Sequence, residues 1–156
     1  MPSFRRLSAI TLASALLLAT SVGMANTAPE KKGLDSLRHG LGTASASALY
    51  HTHLFISATA DGFKAKVFSE AQVRQALATS AKVTTALMDD LGRIKKSGIA
   101  PDDAAKLDAL IEVCELVLKE ARLISGMVRS SSPESERAFA EHHLMVRARL
   151  VKLLGL

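Results

Sequence analysis

The chain has 156 residues, with 20 Lys+Arg against 15 Asp+Glu and a formal net charge of +5. With a single cysteine it cannot form an intramolecular disulfide, attach a c-type haem through C-x-x-C-H, or build a Cys₄ or Cys₂His₂ zinc site. Its basic residues are dispersed and aromatics are scarce, which argues against nucleic acid as a partner.

Residues 1–25 read as a secretory signal peptide. Arg5 and Arg6 form the positive start, Leu7 to Val22 carry no charge, and Gly23, Met24 and Ala25 supply the small residues before a cut after Ala25. The apolar run is shorter than the ~20 residues of a membrane span and holds several Ser and Thr. No Cys follows it, so lipid anchoring of the mature end is not expected. The mature chain would start at Asn26, without a membrane span, in the periplasm or secreted. Losing Arg5 and Arg6 leaves 18 basic against 15 acidic residues, the ordinary charge of a solvated surface.

Residues 26–33 read as a flexible leader and 34–156 as one domain. Four apolar 3,4 repeats occupy that domain, each about one helix long. The first is Leu34, Leu37, Leu41, Ala44, Ala48, His51, Phe55 and Ala58. Gly40 and Gly42 each weaken a helix interior by ~1 kcal/mol and suggest a break near the start. Phe63 and Phe68 fall in the next loop, as caps on one end of the core. Ser69 and Gln72 form a capping box at the start of the second helix. Its seam is Val73, Leu77, Ser80, Thr84, Leu87, Leu91 and Ile94, and Lys95, Lys96 and Gly98 mark its end.

Pro101, Asp102 and Asp103 open the third helix, with seam Leu107, Leu110, Cys114, Val117, Ala121, Ile124 and Val128. Ser130 to Pro133 break the chain, and Ser132 caps the fourth, with seam Phe139, His143, Val146, Leu150 and Leu153. Spacings of three and four gather each set on one side of a helix, and each stripe must be buried. The expected fold is all-α: a single antiparallel up-down-up-down four-helix bundle behind an N-terminal signal peptide.

Enzymatic signatures are missing. There is no Gly-rich phosphate loop and no H-E-x-x-H. The seams as read hold no carboxylate, which sets aside a di-iron site. Cys114 reads as a small buried hydrophobe. His51 and His53 differ by about 200° on a helix and cannot chelate together. His142 and Met145 share a face that reads as surface.

His51 and His143 occupy seam positions, and both lie about ten residues, roughly 15 Å, from the same end of the bundle. First and last helices of such a bundle are neighbours, so the two rings should meet at one level with Ser80 and Ala121. The pair admits three readings: a polar core layer of His51, Ser80 and His143; a transition-metal or haem b site on His51 and His143; or a pH-responsive pair. The expected function is an exported, non-enzymatic helical bundle of the bacterial cell envelope with a binding or structural role and no cofactor. The alternative is a metal- or haem-binding bundle using inward histidines. Homo-oligomer formation is left open. In architecture alone such a bundle is similar to the ligand-sensing domains of bacterial receptors and to four-helix cytochromes.

Overall fold

A computed structural model describes residues 28–155. Among these residues are four helices: α1 (Ala28–Lys64), α2 (Glu70–Lys96), α3 (Pro101–Arg129) and α4 (Pro133–Leu154). The fold is an all-α four-helix bundle. Residues 1–25, read above as a signal peptide, lie outside the described residues. The compact unit Ser36–Leu156 holds the bundle core.

Several helix boundaries have a local cause. The Ser69 hydroxyl accepts from the Gln72 amide and the Gln72 side chain accepts from the Ser69 amide, the reciprocal capping expected there. Ser132 and Ser135 make the same exchange at the start of α4. Pro101 and Pro133 stand in first turns, where their missing N–H costs nothing. Gly98 follows α2 with φ of +82° and Gly155 ends α4 with φ of +70°, both in the left-handed region.

Side-chain pairs fix the helix directions. Arg38 near the start of α1 pairs with Asp103 at the start of α3, so these two helices run parallel. Arg149 late in α4 meets Glu112 early in α3 at 2.9 Å, so that pair runs antiparallel. Connections of a few residues make α2 the antiparallel neighbour of α3.

The core is Leu49, Ile56, Val73, Leu77, Leu91, Leu110, Val117, Ile124, Val146 and Leu150 with smaller neighbours. The seams of α2, α3 and α4 follow the expected register, with Leu87 only half-buried at the core edge. On α1 the register differs. Ala44, Ala48, His51, Phe55 and Ala58 are exposed, and Ala46, Leu49, His53, Ile56 and Ala60 are buried in their place. This second set is itself a 3,4 repeat, continued by half-buried Phe63. It carries Leu49 where the first set carries Ala48, with His53 for His51 and Ile56 for Phe55, so it buries more apolar area.

Two further expectations for α1 are corrected. The helix begins at Ala28, inside the stretch 26–33 read as a flexible leader, and it runs without interruption through Gly40 and Gly42. A propensity cost of ~1 kcal/mol per glycine is small beside the packing of a long buried face. Phe63 therefore belongs to α1 rather than to the loop. Phe68 lies in the loop, and its ring sits so close to Gly62 that a Cβ there would come within 2.3 Å of it. Among the described residues no helix is long and apolar enough to cross a membrane.

Candidate metal centre

Three helices each send one titratable side chain to the same point in the core. His53 from α1 and Glu120 from α3 are fully buried, and His143 from α4 is 23% exposed. The His53 Nδ1–H donates to Glu120 Oε2 at 2.9 Å, and the His143 Nδ1–H donates to Glu120 Oε1 at 2.7 Å. One carboxylate thus accepts from both rings, one oxygen each. An ionised carboxylate is an acceptor only, and this double acceptance suits it. The imidazoles stack face to face, centroids 4.3 Å apart and planes at 20°.

The surroundings hold this arrangement in place. Phe139, one turn before His143, leans against its ring at a centroid distance of 5.7 Å. Lys64 covers Phe139 from the end of α1, its Nζ 5.9 Å from the ring centre. His142, about 100° round α4 from His143, also reaches α3, where its Nε2–H donates to the Leu116 carbonyl at 2.8 Å. That bond lies one turn before Glu120 and ties α4 to α3 beside the cluster.

One atom of the cluster is left over. The Nε2 of His53 is buried and has no hydrogen-bond partner among the described residues. With Nδ1 committed to Glu120, it is either a bare lone pair or an unpaired N–H. Either state costs ~1–3 kcal/mol in a water-excluded core. Natural cores rarely keep such an atom without a reason.

His53, Glu120 and His143 each offer a ligand atom, and these atoms lie within 4.8 Å of one another. Two imidazoles and one carboxylate form the donor set of zinc, copper(II) and non-haem iron sites. The hard cations Ca²⁺ and Mg²⁺ prefer all-oxygen shells and do not match it.

The histidine pair expected from the sequence separates. His143 is at the cluster. His51 is not: it is exposed on the outer side of α1, where its Nδ1–H donates to the Ser47 carbonyl at 2.7 Å and its ring meets Tyr50 edge-on. The expectation is corrected to His53, two residues and about 200° away. Ser80 is buried, but its hydroxyl donates to the Ala76 carbonyl of its own helix rather than to either ring. His142, read as a surface residue, is buried, whereas Met145 beside it is exposed.

Glu120 is the residue that the seam reading missed. Val113, Val117, Glu120, Ile124 and Met127 form a second 3,4 stripe on α3, next to the one through Cys114 and Ala121. A glutamate alone in the middle of such a stripe is the signal that could have found it. The reading that no seam holds a carboxylate is therefore overturned.

Stacked rings also bear on haem. Two axial imidazoles need their nitrogens aimed at each other across an iron. Rings lying face to face at 4.3 Å, both tied to one carboxylate, present no slot for a porphyrin.

The fold and this cluster define a class: a four-helix bundle with a buried two-histidine, one-carboxylate core. Comparison with protein-family models, curated proteins and solved structures finds no match for the chain.

Proposed function

We propose that the protein is an exported helical bundle that binds one divalent transition-metal ion at His53, Glu120 and His143. The observation that carries this reading is that buried His53, buried Glu120 and half-buried His143 each bring a ligand atom within 4.8 Å of the other two. An ion among these atoms would take the place of the two Nδ1 protons that the rings now donate to Glu120. The donor set selects zinc, copper(II), cobalt(II), nickel(II) or iron(II) over calcium and magnesium. The charge and apolar pattern of residues 1–25 supports export. The outer compartment is where the chain would meet its metal.

The test is metal analysis and thermal melting of the purified protein with zinc, copper(II) and cobalt(II). The expected result is one ion per chain and a raised melting temperature. At 100 times its dissociation constant the ion should stabilise the fold by ~2.7 kcal/mol. Binding should survive His51→Leu and be lost in His53→Leu. If none of the three ions shifts the wild-type melting temperature, the cluster is a polar core layer and the metal reading falls.

A further inference from the structure

A metal ion at the cluster would have three ligands from the protein, and the vacancy this creates rests on the metal reading of His53, Glu120 and His143. Closed structural zinc sites use four protein ligands; sites with three keep a position for an outside ligand. Among the described residues, no fourth His, Cys, Asp or Glu joins the three. The single thiol, Cys114, lies six residues before Glu120 on α3, about 9 Å along the axis at 1.5 Å per residue. The neighbouring imidazole of His142 is committed to the Leu116 carbonyl.

Charge then decides what fills the remaining position. A divalent ion, one carboxylate and two neutral imidazoles sum to a single positive charge. His53 and Glu120 are fully buried, so that charge would sit where water screens it poorly. A monoanion entering the coordination shell cancels it, whereas a neutral ligand does not. Access is available at one edge, because the His143 side chain is 23% exposed while the other two are sealed. The flanking Phe139 and Lys64 add an apolar wall and a cation near that edge.

We infer that the ion held by His53, Glu120 and His143 keeps an exchangeable position that takes a small monoanion as its outer ligand. In the exchange the bound water leaves as the anion enters, and neither metal nor protein changes oxidation state.

The experiment uses the purified protein loaded with cobalt(II), whose visible bands report its coordination, titrated with sodium azide at constant ionic strength. The expected result is a spectral change that saturates at one azide per cobalt. The His51→Leu protein should give the same titration curve within about twofold. Cobalt that stays bound while its spectrum is unmoved by azide overturns this inference alone, and shows a closed site. A spectrum that changes only because cobalt leaves, detected as metal in the dialysate, overturns it too. Failure of the protein to take up cobalt, zinc or copper overturns the metal reading and this inference with it.

Discussion

The imidazole of His143 lies flat against that of His53, and each gives its Nδ1 proton to a different oxygen of Glu120. The pair sits about three turns below the end of α1 and three turns below the start of α4. Height along the bundle and identity of the ring are separate facts here. The first follows from counting residues; the second depends on how α1 is rotated.

Removing the inward ring should cost far more than removing the outward one. In metal-free protein, His53→Leu strips a donor from a buried carboxylate oxygen and should destabilise by ~1–3 kcal/mol. His51→Leu removes an exposed ring and should stay within ~0.5 kcal/mol of wild type. Urea unfolding of both variants measures this. Equal effects would mean that α1 is rotated away from the register described.

Glu120 should behave as the shared partner of a network. Glu120→Leu deprives both imidazoles of their acceptor and should cost ~3–5 kcal/mol, as breaking a buried pair does. The triple replacement His53→Leu, Glu120→Leu, His143→Leu should recover most of that loss, because an apolar layer has no polar group to satisfy. Strict additivity of the three single effects would show that the side chains act independently.

The apolar contacts of α1 give a third comparison. Leu49→Ala and Ile56→Ala should each cost ~2–5 kcal/mol, like Ile124→Ala and Leu150→Ala on α3 and α4. Phe55 is 52% exposed, and Phe55→Ala should cost well under half as much as Ile56→Ala. Chemical denaturation midpoints at a common slope rank the variants, and a reversed order for Phe55 and Ile56 would contradict the burial.

Cys114 should be inert in the native state. Burial pushes its thiol up from 9.0 to about 12, so little thiolate exists near neutral pH. An alkylating reagent at about pH 8, below the ordinary thiol range, should modify it only after the chain unfolds. The raised native pKa also sets a direction with pH. Below about pH 9 the thiol is protonated in both states; above it the unfolded chain ionises first, so the thiol's contribution to stability declines as pH rises towards 12. Rapid labelling of folded protein, at a rate matching free thiol, would place Cys114 outside the core.

Gly62→Ala tests the loop between α1 and α2. A Cβ at this position would meet the Phe68 ring at 2.3 Å, so the ring must move away. Phe68 is already 39% exposed, and the expected result is a modest loss of stability together with faster proteolysis of the Lys66–Phe68 segment. Unchanged cleavage would show that the ring does not hold the loop.

The sequence alone determined the number of helices, their caps, the order of their connections and the seams of α2, α3 and α4. These depend on local spacing and end chemistry, which act within a few residues. The level of a histidine pair shared by α1 and α4 was legible too, because helix rise is constant and first and last helices are neighbours. The rotation of α1 was not. Its residues carry two interleaved 3,4 repeats, one through Ala48, His51 and Phe55 and one through Leu49, His53 and Ile56. Local pattern rates both as amphipathic. Only burial in the common core distinguishes them, by taking in Leu49 and Ile56 and setting His53 against His143. Glu120 was hidden for the same reason. A buried carboxylate looks like a surface residue in a sequence until the two imidazoles that satisfy it are brought from other helices. Tertiary packing supplied those partners, and with them the site.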